Sequence, residues 1–89
     1  MMIKVLKIEL VGNHRLRFQF TDGSVGEYDF AKIVNESGSM VEPLRDADYV
    51  KRVFLEFGAP TWPNGFDVAP AWLQQEIAAA GNLIRPAHV

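Results

Sequence analysis

The chain has no cysteine among its 89 residues. A disulfide framework, a thiolate nucleophile and a Cys-ligated zinc site are therefore excluded. The sequence also has no apolar run near the roughly 20 residues that a membrane-spanning helix needs. Lys4 and Lys7 interrupt the apolar N-terminus too early for a secretory signal. These absences predict a cytoplasmic protein that does not contact a membrane.

Basic residues and histidines are also scarce. The formal net charge is -2, whereas a protein that binds mainly nucleic acid is expected to have a basic face. The two histidines, His14 and His88, lie in a turn and in the tail, and neither forms a metal-binding motif. No glycine-rich phosphate-binding loop is present. We therefore expect no catalytic, metal-binding or cofactor-binding residues, no cofactor and no small-molecule ligand.

The composition, 48% hydrophobic and 22% charged, is that of a folded protein. The length allows one domain close to the lower limit for a self-sufficient core, so dimerisation would add stability. We assign residues 1–81 to a single domain and residues 82–89 to a C-terminal tail. Leu83 and Ile84 have no obvious place in the core, so the tail is either frayed or an arm that packs on another subunit.

The N-terminal part predicts a meander of antiparallel strands. Residues 4–11 are rich in Ile, Val and Leu without clean alternation, which favours a strand that is central or covered on both faces. Residues 15–20 alternate strictly, with Leu16, Phe18 and Phe20 on one face and polar or charged side chains on the other. This second strand is therefore predicted to be half-buried.

The register of the next hairpin follows from the turn at Asp22-Gly23. A two-residue loop would place Glu27 and Asp29 on the apolar face of the sheet. A three-residue loop, with Gly23 in the left-handed conformation and a bulge, avoids this. The predicted cross-strand pairs are then Phe20 with Ser24, Phe18 with Gly26, Leu16 with Tyr28, Arg17 with Glu27, and Arg15 with Asp29.

The middle of the chain predicts short elements. Residues 30–34 have helical spacing, with Asp29 as a possible cap and Gly38 as a plausible stop. Asp29 cannot serve fully both as this cap and as the partner of Arg15, so one of the two assignments must be weaker. The other elements predicted here are a one- or two-turn helix through Tyr49, capped by Asp46, and a strand at residues 53–57 that ends at Gly58-Ala59-Pro60.

Residues 61–73 are the most informative stretch, because they hold both tryptophans and the only Asn-Gly of the chain. Pro63 cannot donate to a sheet, so the strand that carries Trp62 ends there or lies at a sheet edge. Asn64-Gly65 supplies a tight reversal. We expect Trp62 and Trp72 to approach each other across this turn and to be core or half-buried rings, with one ring lining a groove as the alternative.

The helix after this turn is the longest predicted element. Asp67 is placed to accept a backbone N–H of its first turn, and Pro70 fits that turn because the N–H groups there lack helical partners. Residues 72–80 carry the helix, and Gly81 ends it. Its side chains divide into a buried stripe of Leu73, Ile77 and Ala80 and an outer polar pair, Gln74 and Gln75. The whole pattern predicts an α+β fold, with a small antiparallel sheet formed by an N-terminal meander, short helices and a C-terminal helix.

Several of these features occur together in one family pattern. The specific part is the run Trp62-Pro63-Asn64-Gly65-x-Asp67-Val68-x-Pro70. The supporting parts are Leu16-x-Phe18-x-Phe20-x-Asp22-Gly23, Tyr28-Asp29-Phe30, Pro43-Leu44-x-Asp46 and Tyr49. Over residues 3–75 this combination resembles a bacterial family known as domain of unknown function 2442. The chain departs from the expected acidic residue and Leu-Tyr after Pro70, where it has Ala71 and Trp72-Leu73-Gln74.

The resemblance implies a small α+β domain without an established activity. Such domains look like partners in small two-gene operons, including toxin- and antitoxin-like pairs, and some relatives carry a helix-turn-helix domain. Some also bear a transferred label as molybdopterin cofactor biosynthesis proteins, which the absence of a nucleotide-binding loop in this sequence does not support. What the resemblance implies is therefore a partner protein or a regulator.

Two other functional classes fit the residues less well. A small enzyme or cofactor-biosynthesis accessory protein would need Asp22, Asp67 or a histidine, yet a turn or a helix cap already explains each aspartate. A nucleic-acid-associated regulator would need basic and aromatic side chains on one surface. Alternation instead places Phe18 and Phe20 opposite Arg15 and Arg17.

We therefore interpret the chain as a non-catalytic protein–protein interaction or regulatory module rather than an enzyme. We expect it to act as a homodimer or to bind a protein partner, for example within a two-gene, toxin/antitoxin-like operon, with nucleic acid as the less favoured ligand. The apolar residues of the tail and the ordered Trp-bearing turn indicate where the contact lies. The predicted interaction surface consists of Trp62, Pro63, Asn64, Gly65, Asp67, Trp72, Leu83 and Ile84.

Overall fold

The computed structural model describes residues 2–33 and 38–86. The strands in this part of the chain are β1 (Val5–Leu10), β2 (Arg15–Phe20), β3 (Val25–Asp29), β4 (Phe54–Glu56) and β5 (Ala59–Thr61). The helices are a 3₁₀ helix (Glu42–Arg45), α1 (Ala47–Val50) and α2 (Pro70–Ala79). The strands form a three-stranded antiparallel meander, β1-β2-β3, and a two-stranded sheet, β4-β5. The predicted α+β class is confirmed.

The register of β2 and β3 is the predicted one. Gly23 has φ of 86°, its N–H donates to the Phe20 carbonyl at 3.0 Å, and the Phe20 N–H donates to the Ser24 carbonyl at 2.9 Å. These contacts define a three-residue loop with a bulge. The Cα partners across the strands are Phe18 with Gly26, Leu16 with Tyr28, Arg17 with Glu27, and Arg15 with Asp29.

Asp29 lies opposite Arg15 but is not its ion-pair partner. Its Oδ1 accepts the Ala31 N–H at 2.9 Å, whereas Arg15 Nε donates to Glu27 Oε1 at 2.8 Å. The conflict between the two assignments of Asp29 is thereby resolved in favour of the cap. The Ile33 N–H donates to the Phe30 carbonyl at 3.1 Å, which closes a single turn. The rest of the predicted helix at 30–34 lies outside the described residues.

The prediction that the first strand is central or covered on both faces is wrong. β1 lies at the end of the strand order, and Leu6 and Leu10 are 59% and 47% exposed. The register shifts between Val5 and Lys7, so that Val5 pairs with Phe20 whereas Ile8, three residues on, pairs with Phe18. In an edge strand with one buried face, apolar and polar side chains normally alternate. The bulge interrupts this alternation in β1. The β1 sequence therefore has the apolar pattern of a strand that is covered on both faces, although it lies at the sheet edge.

A second hairpin replaces the predicted strand end at Gly58-Ala59-Pro60. β4 confirms the strand predicted within residues 53–57, but the chain reverses after Glu56 and forms β5 at once. The two residues of the turn, Phe57 and Gly58, both have positive φ, 52° and 78°. This is the geometry of a two-residue hairpin turn, and Phe57 is not a residue that sequence patterns associate with it.

Of the two aspartates predicted to cap α1 and α2, only the first does so. Asp46 accepts the Asp48 N–H at 2.9 Å and caps α1, and Pro70 stands in the first turn of α2. The prediction that Asp67 caps α2 is wrong, because Ala69 occupies the N-cap position and no side chain accepts a hydrogen bond there. Asp67 lies two residues before that N-cap. Within the described ranges, no helix has the length and apolar character required to cross a bilayer.

The C-terminal end of α2 has the predicted glycine stop. Gly81 has φ of 76°, its N–H donates to the Ala78 carbonyl, and the Asn82 N–H donates to the Ile77 carbonyl, both at 3.0 Å. These paired bonds satisfy helix carbonyls that lack intrahelical partners. Ala80, predicted to be buried, is exposed.

The core lies between the inner face of the meander, the β4-β5 sheet and α2. Its buried hydrophobic residues are Val5, Leu16, Phe18, Phe20, Tyr28, Phe30, Ile33, Leu44, Val50, Trp62, Val68, Leu73 and Ile77. From α2, Leu73 and Ile77 are fully buried against the sheet. The predicted outward position of Gln74 is wrong, because its Nε2 donates to Asp22 and Ser24 on the neighbouring turn.

The segment after α2 returns to the sheet. Ile84 forms an antiparallel bridge with Val25, with N–H to carbonyl distances of 2.7 and 2.9 Å, and Leu83 packs against the core. The expectation that Leu83 has no place in the core is therefore wrong. The Ile84 side chain is 71% exposed. Residues 87–89 of the predicted tail lie outside the described residues.

The close approach of α2 to β3 depends on Gly26. A Cβ at this position would overlap Ile77 Cγ2 and would lie 3.2 Å from the Asn82 carbonyl oxygen. We expect Gly26→Ala to lower the free energy of unfolding by about 1 to 3 kcal/mol through overpacking. Ile77→Leu removes Cγ2, so the same glycine substitution should cost less in that background. Urea unfolding of the four proteins in this double-mutant cycle measures the coupling, and strictly additive losses would contradict the proposed overlap.

Candidate functional site

The Trp62 ring is in the core rather than on the surface. It is 0% exposed, its Nε1 donates to the Val50 carbonyl at 3.2 Å, and its centroid lies 5.2 Å from that of Phe30 in an edge-to-face arrangement. A buried indole N–H with a partner is stable in a core. Trp62 therefore fixes the position of the turn that follows it, and its ring is not available to a partner.

The Trp72 ring lies elsewhere and is 38% exposed. It contacts the edge of Tyr28 at a centroid distance of 6.0 Å, and Tyr28 in turn lies 5.0 Å from Phe30. The described ring contacts thus join Trp62 to Trp72 through Tyr28 and Phe30. The predicted approach of the two indoles across the turn is realised only through these intervening rings.

The turn after Trp62 is held by both ends of the Asn64 side chain. Asn64 Oδ1 accepts the Phe66 N–H at 3.0 Å, and Nδ2 donates to the Met40 carbonyl at 3.1 Å. The Asn64 N–H also donates to the Tyr49 hydroxyl at 3.0 Å. A single exposed residue therefore connects the turn to two other segments of the chain.

The Asp22 turn, which joins β2 to β3, has the same arrangement as the Asn64 turn. Asp22 Oδ1 accepts the Ser24 N–H at 3.0 Å, as Asn64 does from Phe66, and it also accepts the Ser24 hydroxyl at 2.6 Å. Each turn ends in a left-handed glycine, Gly23 or Gly65, with φ of 86° or 91°. The turn of the β2-β3 hairpin and the turn that follows β5 are thus built alike from Asx-Gly pairs.

Asp22 additionally ties its turn to α2. Gln74 Nε2 donates to Asp22 Oδ2 at 2.8 Å and to Ser24 Oγ at 2.9 Å. The hydrogen bonds from Ser24, with smaller contributions from Gln74 and Arg85, hold the pKa of the Asp22 carboxyl below its usual value. These partners account for the carboxylate as a structural acceptor between sheet and helix.

The groups considered for chemistry have different surroundings. His14 Nε2 lies 2.9 Å from the Arg45 carbonyl oxygen, Asp22 is bonded to Ser24 and Gln74, and the Asp67 residue is exposed. Among the described residues, no group of three His, Asp or Glu side chains has metal-binding geometry. The other histidine, His88, lies outside them. The hydrogen bonds described for His14 and Asp22 do not join them to each other or to Asp67.

The outer face of the meander carries an ion-pair cluster. Glu27 accepts from Arg15 Nε at 2.8 Å and from an Arg17 terminal nitrogen at 2.7 Å. The hydrogen bonds of the two arginines lower the pKa of the Glu27 carboxyl. Phe18 and Phe20 are 0% exposed on the inner face, so these two rings do not share a surface with Arg15 and Arg17.

Two concave regions contain residues of the predicted interaction surface. A groove of about 650 Å³ runs between the Arg15, Arg17 and Glu27 side chains and the returning segment that carries Ile84. A smaller pocket of about 200 Å³ is lined by Asp67 and Trp72, among others. The eight predicted residues are thus divided among the core, an exposed turn, the pocket and the groove. Trp62 is buried, and whether the remaining seven contact a partner stays a prediction.

The β4-β5 hairpin was missed as a candidate site. All three residues of β4 are exposed, with Phe54 at 46% and Leu55 at 38%, and Phe57 in the turn is 91% exposed. The signal available in the sequence was the run of apolar residues from Val53 to Phe57 that was assigned to an ordinary strand. The positive φ of Phe57 could not be read from it.

A family model covers most of the chain. Residues 5–78 match the model of the family described as Protein of unknown function (DUF2442). The chain belongs to this family. Membership confirms the resemblance that the Trp62–Asp67 motif indicated and assigns no activity. Comparisons with curated proteins and with solved structures give no match.

The charge of Asp22 is expected to stabilise the protein near neutral pH. We expect Asp22→Asn to lower the free energy of unfolding at about pH 7 by about 1 to 2 kcal/mol, because the bonds from Ser24 lose their charged acceptor. The folded-state pKa of Asp22 lies below the ordinary 3.8, so its contribution is present above that value. It is lost as the pH falls through the folded-state pKa.

Urea unfolding of wild type and variant over a series from about pH 7 to about pH 3 measures this difference. The gap between the two proteins should shrink below about pH 4. Asp48→Asn serves as the control, since that carboxylate is 86% exposed and should contribute little. A gap of constant size across the series would contradict the assignment.

The two ends of Asn64 can be separated by substitution. Asn64→Asp keeps the oxygen that accepts the Phe66 N–H but loses the donor to the Met40 carbonyl, whereas Asn64→Ala loses both. We expect a loss of about 1 kcal/mol for the first and a larger loss for the second, by thermal unfolding. An Asn64→Asp protein as stable as wild type would show that the bond to Met40 contributes nothing.

Proposed function

We propose that the protein is a non-catalytic protein–protein interaction module that presents the β4-β5 hairpin to its partner. The observation that carries this proposal is the Phe57 side chain, which is 91% exposed at the tip of the hairpin. A phenylalanine exposed to this degree contributes little to the core of its own chain. Its large apolar surface is available to a partner.

The backbone of Phe57 strengthens the proposal. Its φ of 52° places a bulky residue in the left-handed region, which costs about 1 to 2 kcal/mol relative to an ordinary conformation. Asn or Gly would occupy this turn position without that cost. A residue that is both exposed and strained, without a structural benefit to the fold, is typical of a contact site.

The surroundings of Phe57 define the chemistry of the partner. Phe54 and Leu55 on β4 are 46% and 38% exposed, and because successive side chains of a strand alternate, they add apolar surface to opposite faces of the hairpin. Gly58 contacts the Lys4 side chain so closely that a Cβ there would lie 2.7 Å from Lys4 Cβ, which fixes the hairpin against the start of β1. A fixed apolar projection fits an apolar pocket on another protein.

The wider functional predictions belong to this proposal. The partner is a protein, for example the product of a neighbouring gene in a toxin/antitoxin-like pair, and the setting is the cytoplasm of a bacterium. The module regulates or scaffolds its partner and performs no catalysis. Asp67, Trp72 and Ile84 are proposed as secondary contacts, because they are exposed and lie beside concave surface.

Phe57→Asn separates binding from folding. We expect the variant to be more stable than wild type by about 1 kcal/mol, since asparagine tolerates the left-handed conformation, and to lose the partner. Thermal unfolding measures the first effect, and capture of the partner by the tagged chain, with identification of the captured protein, measures the second. Met40→Asn, which changes another exposed apolar residue, is the control and should keep the partner. A partner retained equally by the Phe57 variant would refute the role of the hairpin.

A further inference from the structure

The outer side of β1 presents backbone groups that β2 does not bind. β1 ends the strand order β1-β2-β3, and the Val11 N–H donates to the Arg15 carbonyl of the neighbouring strand at 3.0 Å. Antiparallel strands alternate the direction of their bonding groups, so Glu9 also points towards β2. Ile8 and Leu10 then direct their N–H and C=O groups to the outer side.

This open edge has defined limits. At one end, the Val5 N–H donates to the Gly58 carbonyl at 2.8 Å, so the β4-β5 hairpin covers the edge there. At the other end, β1 stops at Leu10 and the chain bends away through residues 12–14. Within the described chain, no strand pairs with the edge between these limits. The free segment is therefore residues 6–10, and its centre is Ile8.

In this segment, residues at equal distances on either side of Ile8 have either the same side chain or one of opposite charge. Leu6 and Leu10, two residues from the centre, are 59% and 47% exposed. Lys7 and Glu9, one residue from the centre, carry opposite charges on side chains that are 62% and 44% exposed. An antiparallel copy of the same segment would thus meet leucine with leucine and lysine with glutamate.

We propose that two copies of this chain pair through β1, antiparallel and related by a two-fold axis at Ile8. Ile8 then exchanges backbone hydrogen bonds with the partner's Ile8. Lys7 faces the partner's Glu9, and Leu6 faces the partner's Leu10. The two meanders join into one continuous six-stranded sheet, which removes the exposed edge of each copy.

Charge selects this register over its neighbours. A shift that moves the axis to Lys7 places two lysines opposite each other, and a shift to Glu9 does the same with two glutamates. Like charges directly across a sheet are destabilising, whereas opposite charges stabilise it. If the two-fold axis lay between two residues, each residue whose N–H and C=O point outward would face a partner residue whose groups point towards its own β2. No hydrogen bonds could then form between the two copies of β1. Only the axis at Ile8 satisfies the backbone and the charges together.

The β1 dimer interface and the β4-β5 hairpin surface are separate contacts. The self-pairing uses residues 6–10 of β1, whereas Phe57 at the hairpin tip is left available for a different protein. Loss of one contact therefore does not imply loss of the other. The Phe57→Asn protein should remain a dimer, which distinguishes a failure of either proposal.

Charge reversal on full-length protein tests the register. Lys7→Glu and Glu9→Lys each replace two attractive cross-strand pairs with two repulsive ones, and each should weaken the dimer at least about tenfold in sedimentation equilibrium. Mixing the two single variants restores opposite charges between chains but not within either chain. The mixture should form a heterodimer, and the double variant with both reversals should regain the homodimer.

The mixing step separates an interface effect from a folding effect. A single variant that merely lost local stability would not be rescued by a second chain with its own unfavourable charges. Wild-type protein that is monomeric at its highest soluble concentration would overturn the proposal. A dimer that both single variants leave unchanged would also overturn it, because the interface would then lie elsewhere.

Amide hydrogen exchange on the wild-type protein gives a readout that needs no variant. The Ile8 N–H points away from β2, so in a monomer it should exchange faster than the Glu9 N–H, which lies in the ladder. In the dimer both are hydrogen-bonded, and the Ile8 rate should rise on dilution while the Glu9 rate changes less. An Ile8 rate that is independent of protein concentration would refute the pairing.

Discussion

The edge-to-face contacts of the Phe30 ring hold the two sheets of this protein together. Phe30 lies at the end of the meander and contacts Phe18 and Tyr28 from that sheet, while Trp62 approaches it from the end of the second hairpin. The two-stranded β4-β5 sheet alone would be at best marginally stable in water. The aromatic cluster therefore turns two small sheets into one domain, and Trp62 has to be buried for this purpose.

Two turns of the same kind position the chain segments around them. An Asx-Gly pair reverses the chain after Phe20 and again after Trp62, and in each case the Asx side chain bonds beyond its own turn. Asp22 reaches Gln74 on α2, and Asn64 reaches the Met40 carbonyl. Polar residues in the turns thus add long-range hydrogen bonds to the contacts of the small core. The family motif around Asn64 is explained by this structural work, so it does not by itself mark a binding site.

The surfaces left over after these requirements are the open edge of β1 and the tip of the β4-β5 hairpin. Both were missed or misread in the sequence for physical reasons. The bulge at Leu6 shifts the side-chain phase, so an edge strand has the apolar pattern of a covered one. Phe57 adopts a left-handed conformation that local propensity assigns to Asn or Gly, so Gly58 indicated the end of a strand and not a reversal into a second one. The helix cap assigned to Asp67 failed because Ala69 begins α2 without any side-chain cap.

Local chemistry is what the sequence by itself determined: the three-residue turn at Gly23, the register of β2 and β3, the cap at Asp46 and the stop at Gly81. Each depends on neighbouring residues or on one cross-strand pattern, because left-handed glycines and face-specific charges leave few alternatives. Tertiary structure alone decided that Gln74 binds Asp22 and that Ile84 pairs with Val25. These contacts join residues distant in the chain, and their energy depends on which surfaces remain uncovered once the other elements have packed.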